Sequence, residues 1–212
     1  MNIVFFGMPG CGKGTQAKML VEKFNFVYIS TGDIFREIIL KKNVLTQKIK
    51  NYMQQGLLVP DEIVFDVVKQ KINHINNKDF LFDGFPRNIV QAKMFNEYLS
   101  SVNKNIDKVF YFELSQDLCI KRLTSRRLCP KCNKGYNLIT QPPKNDELCD
   151  ICNVKLIQRE DDKYETVIKR MNVYEKESKS LLEYYKDKLI KIDATGNIED
   201  IFKKISEIIF KN

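Results

Sequence analysis

The stretch Gly7-Met8-Pro9-Gly10-Cys11-Gly12-Lys13-Gly14-Thr15 sets the terms for the whole chain, because an apolar run leads into it and an amphipathic one leads out. Asn2-Ile3-Val4-Phe5-Phe6 is short, branched and aromatic, with no polar alternation, which predicts a parallel strand buried on both faces. After the glycines, Ala17, Leu20, Val21 and Phe24 recur at helical spacing, as on a helix packed against a sheet. A glycine-rich turn between strand and helix lets backbone N–H groups converge on an anion, and the helix opening near Lys13 adds the positive end of its dipole. Lys13 is then a point charge for the β- and γ-phosphates of a nucleotide, and Thr15 a candidate hydroxyl near magnesium. The spacing G-x4-G-K fits a phosphate loop, with one departure: Gly14 follows the lysine and the threonine comes one residue later.

At 212 residues with 43% hydrophobic content, one large α/β domain with insertions is expected, and a substantial core. The first residues form the phosphate-loop strand itself and no apolar run approaches the roughly 18 residues of a membrane span, so a cytoplasmic protein without a leader is expected. The net charge of +8 fits nucleic acid, a membrane surface or a polyanionic small substrate. Only seven of the 35 basic residues are arginine: Arg36, Arg87, Arg122, Arg126, Arg127, Arg159 and Arg170. A chain that prefers lysine this strongly keeps arginine where planar, bidentate donors are needed, and nucleotide phosphates are the obvious recipients.

Downstream, Val27-Tyr28-Ile29 predicts a second strand, and Ser30-Thr31-Gly32-Asp33 a polar turn capping a helix that buries Ile34, Phe35, Ile38 and Ile39 while Arg36 points elsewhere. Helical pattern resumes from Leu45 to Met53 and stops at Gly56. Pro60-Asp61-Glu62 opens a further helix, with Ile63, Val64, Val67, Val68 and Ile72 inward, that ends at Asn76-Asn77. His74, the only histidine, falls at that end and reads as a surface group. Phe80-Leu81-Phe82 is the third strand. Asp83-Gly84-Phe85-Pro86-Arg87 leaves its carboxyl end, where open α/β sheets bind ligands, so Asp83 is a candidate magnesium carboxylate and Arg87 is thrown into the crevice. Asn88 caps a helix to about Leu99, with Gln91 on its first turn. Val109 to Phe112 makes the fourth strand, and a helix from Asp117 to Arg126 would set Arg122 and Arg126 on one face with an anion between them.

From about Arg127 to Asp162 regular periodicity vanishes, which marks an inserted subdomain. Cys129-Pro130-Lys131-Cys132 and Cys149-Asp150-Ile151-Cys152, with 16 residues between the pairs, match the spacing of a tetrahedral zinc site. Four thiolates leave no open position, so such a zinc is structural. A long helix is expected from Tyr164 toward Tyr185 with Val167, Arg170, Met171 and Tyr174. A fifth strand follows at Ile190 to Asp193, and after Ala194-Thr195-Gly196 a closing helix with Ile198, Ile201, Phe202, Ile205, Ile208 and Ile209 inward.

Gly7 to Thr15, Ser30 to Asp33, Leu58 to Glu62, Phe82 to Arg87, Arg126-Arg127 with the cysteine pairs, and Asp161-Asp162 together resemble adenylate kinase of the long, zinc-lid bacterial type, a phosphate-loop nucleoside monophosphate kinase, over essentially the whole chain. The resemblance implies an α/β fold with a five-stranded parallel sheet core flanked by helices, in residues 1–29, 60–125 and 163–212. It adds an AMP-binding segment at 30–59 and a zinc-containing lid at 126–162. It implies reversible magnesium-dependent phosphoryl transfer from ATP to AMP. ATP would be held by Gly10, Cys11, Gly12, Lys13, Gly14, Thr15, Arg122, Arg126, Gly135, Tyr136 and Gly196. AMP would be held by Thr31, Arg36, Leu57, Leu58, Val59, Gly84, Phe85, Pro86, Arg87 and Gln91, with Gln91 reading the base edge. Arg159 and Arg170 would close over the transferring phosphoryl, and Asp33 and Asp83 would lie in the outer shell of magnesium. The partners implied are ATP, AMP and ADP alone, acting on a monomer, with no nucleic acid or membrane.

Two rival readings stand beside this one. A nucleoside monophosphate kinase with UMP, GMP or CMP as acceptor would share the phosphate loop, but Gln91 and the long cysteine lid favour AMP. A zinc-ribbon nucleic-acid binder would suit the basic charge and the C-x-x-C pairs, yet it leaves the loop and the arginines unexplained. Its lid would also offer Tyr136 as the sole stacking platform.

Overall fold

The computed structural model describes residues 1–40, 44–75 and 78–210. The expected end of the fourth helix at Asn76-Asn77 lies outside the described residues. Five strands, β1 (Asn2–Gly7), β2 (Val27–Ser30), β3 (Phe80–Asp83), β4 (Lys108–Glu113) and, from the carboxyl end of the chain, Leu189–Asp193, form one parallel sheet. Every residue of β1 is buried, as its unbroken apolar run requires of a central strand with helices on both faces. β1 pairs with β3 on one side and β4 on the other, β2 lies outside β3, and the carboxyl-terminal strand lies outside β4. The phosphate loop therefore leaves the middle of the sheet.

Period-two alternation splits the core into two layers. Val4, Phe6, Ile29, Phe80, Phe82 and Val109 face a cluster that takes in Phe85, Phe95 and Leu99. It is covered by α2 (Thr31–Leu40), α3 (Val44–Gln54), α4 (Asp61–Asn73) and α5 (Ile89–Ser101). Ile3, Phe5, Leu81, Phe110, Phe112 and Ile192 face the opposite cluster. There they meet α1 (Lys13–Phe24), α6 (Gln116–Thr124), α7 (Tyr164–Val173) and the closing helix Ile198–Phe210, which buries Ile201, Ile205 and Ile209.

The structure corrects four expectations. α2 begins at Thr31, directly after the strand, so Ser30 to Asp33 is no free turn; Ser30 Oγ accepts from the Asp33 N–H at 3.3 Å and caps the helix from the strand's last residue. The helix expected to reach Arg126 stops at Thr124, because groups from the inserted segment take its last carbonyls: Asn137 Nδ2 donates to Arg122 O at 2.8 Å, and the Leu138 N–H to Ser125 O at 3.0 Å. Arg126 instead opens β5 (Arg126–Leu128), which pairs antiparallel with β6 (Gly135–Asn137), so the inserted segment is not wholly irregular. Three-residue strands are too short to show alternation in sequence. Finally, the long helix after Tyr164 is interrupted: α7 passes into a π-helical turn, Tyr174–Ser178, before the single turn α8 (Leu181–Tyr184) and the fifth strand of the sheet, β7 (Leu189–Asp193). His74 is exposed, as expected.

Candidate active site

A cleft of about 940 Å³ runs across the carboxyl ends of β1, β2, β3 and β4, beside the loop that follows β7, and under the inserted segment. The phosphate loop forms its floor. Gly10 turns at φ +88°, and a Cβ there would lie 2.7 Å from the Cys119 carbonyl oxygen, so only glycine fits between the loop and α6. Lys13, the first residue of α1, donates from Nζ to the carbonyls of Gly7 at 2.8 Å and Met8 at 2.9 Å, which fixes its charge at the mouth of the loop. At Gly14, where the loop departs from the usual spacing, a Cβ would stand 3.3 Å from Asp83 Oδ2 at the end of β3, a tight contact. Tyr28 Oη donates to that same carboxylate oxygen at 3.0 Å, and burial and then the Asp83 charge push the phenol well above its usual range, so it remains a donor. Sequence reasoning assigned Tyr28 only to a strand; its signal was a polar-tipped aromatic at the strand's carboxyl end.

Six arginines line the same cleft: Arg36, Arg87, Arg122, Arg126, Arg159 and Arg170. Burial and then Arg170 bring Arg87 down to about 10, and burial and then Arg126 bring Arg159 to about 10. Three acidic positions hold the group together, among them Asp161, whose carboxylate lies 3.2 Å from Arg170. Asp162, fully buried, takes Arg126 in a bidentate pair at 2.8 and 2.6 Å and Arg170 at 3.2 Å. Asp33 pairs with Arg36. Arg159 Nε is buried without a hydrogen-bond partner, an orphaned donor in a cationic cleft, which suits an anion.

Burial alone would raise the Asp161 carboxyl, yet Arg170, Arg36, Arg126 and Arg159 hold it below the usual 3.8. A folded pKa below the unfolded one gives stability above the unfolded value that is lost as pH falls through the folded one. Wild-type protein should therefore lose stability below about pH 4, and Asp161→Asn should flatten that fall. Urea unfolding followed from acid to neutral pH measures it; the same slope in both proteins would show that Asp161 is uncoupled.

Of the residues named from sequence, Gly10 to Thr15, Asp33, Leu57, Leu58, Asp83, Gly84, Pro86, Gly135, Tyr136 and Gly196 join the six arginines at the cleft. Thr31, Val59, Phe85 and Gln91 do not: each is buried behind the wall. Thr31 Oγ1 donates to Gly84 O at 2.9 Å, and the Gln91 amide is bonded to protein at both ends. Sequence reasoning missed Ser178, Met53 and Gly56, which line the cleft.

Beyond β5 and β6, the Sγ atoms of Cys129, Cys132, Cys149 and Cys152 all lie within 4.8 Å of one another. Zinc with thiolates at ~2.3 Å requires sulfurs ~3.8 Å apart. Cys132 and Cys149 are 3.7 Å apart, far beyond a disulfide bond, and the four thiols fit a tetrahedral metal. The Cys132 and Cys152 N–H groups donate to Cys129 and Cys149 sulfurs at 3.4 Å. Tyr136 Oη donates to Cys149 Sγ at 3.3 Å and accepts from the Asp150 N–H at 2.9 Å. Burial would raise the Cys149 thiol, but the Tyr136 hydroxyl and neighbouring N–H groups bring it down to about 6, poised as a thiolate.

A glycine loop running into a helix N-terminus, ringed by arginines and holding no histidine, is a device for phosphoryl groups, and on a parallel sheet it defines a phosphate-loop α/β nucleotide-binding protein. A family model described as adenylate kinase matches residues 5–190. The chain is similar to an adenylate kinase of Hydrogenobaculum sp., 45% identical over 99% of this chain and 100% of the relative. It is similar also to those of Thermotoga maritima, 46% identical over 98% and 96%, and Clostridium tetani, 42% identical over 99% and 98%. The chain belongs to the adenylate kinase family.

Proposed function

We propose that this chain transfers the γ-phosphoryl group of ATP to AMP, reversibly, giving two molecules of ADP. The observation that carries the reading is that one cleft holds two anion-receptive ends: the phosphate loop with Lys13 and Arg122, and the 84–87 turn with Arg36 and Arg87. Arg159 and Arg170 line it as well. Phosphoryl transfer needs in-line positioning and charge neutralisation rather than an acid-base pair, and such a cleft supplies both.

In this reading Gly10 to Thr15 and Arg126 bind the ATP phosphates, with Gly135, Tyr136 and Gly196 toward its adenine. Thr31, Arg36, Leu57 to Val59, Gly84 to Arg87 and Gln91 shape the AMP end. Magnesium bound to the nucleotide neutralises phosphate charge, and Asp83, its carboxylate turned toward Gly14 and held by Tyr28, suits the hydrated ion together with Asp33. Residues 30–59 and the zinc-stapled lid at 126–162 close over the substrates and exclude water, which would otherwise take the phosphoryl group. The enzyme acts in the cytoplasm as a monomer on small molecules; among the described residues no helix is long and apolar enough to cross a membrane.

A coupled assay of ADP formation from ATP with each monophosphate tests the reading. Magnesium-dependent turnover with AMP well ahead of UMP, GMP and CMP is expected; equal turnover of UMP or GMP would overturn the acceptor assignment.

A further inference from the structure

Arg87 is placed against its own electrostatics. Burial and the charges of Arg170 and Arg36 work against it and outweigh the opposing charges of Asp83 and Asp161, and among the described residues no carboxylate forms an ion pair with it. Its side chain makes one hydrogen bond to protein, from Nε to Gly84 O at 2.8 Å. Its position is enforced through the main chain instead. The Arg87 N–H donates to Gln91 Oε1 at 2.8 Å, and the Arg87 carbonyl accepts from Ser178 Oγ at 2.6 Å.

Neither partner is free to turn away. Gln91 Nε2 donates to Asp61 Oδ1 at 2.8 Å, which fixes the orientation of the amide and so presents Oε1 to Arg87. Asp61 also takes Asn88 Nδ2 at 3.1 and 3.3 Å, while Asn88 Oδ1 accepts the Gln91 N–H at 2.8 Å. Ser178 arrives from the opposite side on the π-helical turn that continues α7, the helix bearing Arg170. The wider turn re-aims the residues that follow it, and such turns recur at functional sites. Gln91 and Ser178 are themselves buried although Ser178 borders the cleft, which limits the access of water to these bonds.

We propose that Asp61 and Ser178 are positioning residues that clamp Arg87 from both sides, and that through Ser178 the helix carrying Arg170 sets where Arg87 stands. This rests on the reading of the cleft as the site of phosphoryl transfer to AMP. A role confined to helix ends would explain an acid in the first turn of α4 and the Asn88 cap. It does not explain Ser178, whose hydroxyl caps no helix end, or an oriented Gln91 amide aimed at the Arg87 N–H.

The test compares wild type with Ser178→Ala, Ser178→Thr and Asp61→Asn. An asparagine at 61 removes the charge that strengthens both bonds and puts a donating NH2 where Oδ2 now accepts from Asn88 Nδ2 at 3.3 Å, so the hold on the Gln91 and Asn88 amides loosens. Each full-length protein is assayed for kcat and for KM of ATP and AMP, well below a thermal midpoint set by calorimetry. Ser178→Ala and Asp61→Asn should lower kcat about ten- to a hundredfold with KM for ATP within about twofold, and Ser178→Thr should restore it. Should Asp61→Asn fail to fold, the alanine and threonine pair decides. Normal kcat in Ser178→Ala beside an active wild type, or a threonine that rescues nothing, overturns the clamp alone. A wild type that makes no ADP from ATP and AMP overturns the functional reading, and the clamp with it.

Discussion

Arg87→Lys should cost about 3 kcal/mol of transition-state stabilisation, a loss on the order of a hundredfold in kcat. The charge count is unchanged, so the loss measures geometry and protonation rather than simple attraction. A guanidinium can donate from Nε to Gly84 O and still present its two Nη groups to phosphate oxygens as a planar fork; an ammonium cannot do both. Protonation adds a second reason. In this position burial and Arg170 take arginine down to about 10. Lysine starts roughly two units lower in water, so the same surroundings would bring it toward neutrality and leave the variant partly uncharged. Its turnover should therefore fall more than that of wild type as pH rises above neutral. Lys131→Arg, at an exposed residue of the inserted segment outside the cleft, is the control and should leave turnover unchanged. Turnover close to wild type in Arg87→Lys would show that Arg87 is only a solvated charge.

The parts legible in the sequence were those fixed by local pattern. The apolar run Ile3 to Phe6 predicted a strand buried on both faces, and the C-x2-C spacing predicted four sulfurs brought together. Arginine scarcity marked the cleft because guanidinium groups were kept only where geometry demands them, and six of the seven do line it. What stayed hidden depends on contacts between distant segments. Nothing near Arg126 says that α6 stops short of it; groups more than ten residues downstream, on Asn137 and Leu138, take the last carbonyls. The π-helical turn at Tyr174 has no periodic signature of its own, so Ser178 could not be placed against Arg87 from sequence. The resemblance gave Gln91 to the base edge of AMP. The structure shows its amide engaged with Asp61 and the Arg87 N–H, 30 and 4 residues away in the chain.

The inserted segment owes little to a hydrophobic core, and that is the ground for expecting a large effect from its metal. Its buried cluster consists of Cys129, Tyr136, Cys149 and Leu156, with Cys152 and Val154 packed against it. Ile139, Ile151 and Ile157 are left exposed. Two of the four buried members are sulfur ligands, so without a metal the cluster has one aromatic ring and one leucine to offset the entropy of ordering the segment. One zinc held by Cys129, Cys132, Cys149 and Cys152 should supply most of the missing free energy, and Tyr136 Oη on Cys149 Sγ should fix that ligand's orientation. Cys152→Ser should then lower zinc content, measured by elemental analysis, and lower the thermal midpoint or split the calorimetric transition as the segment melts first. Four thiolates fill the tetrahedron, so no position remains to polarise a phosphate oxygen. Turnover measured well below the first transition should survive in reduced form, because Lys13, Arg36 and Arg87 lie outside the segment. Near the transition it should collapse, as Arg126 and Arg159 lose the frame that holds them in the cleft. The ATP end should suffer before the AMP end, since Tyr136 both lines the cleft and donates its hydroxyl to Cys149 Sγ. Complete inactivity at low temperature in a variant whose inserted segment is still folded would sink the structural role and point to a metal that takes part in the chemistry.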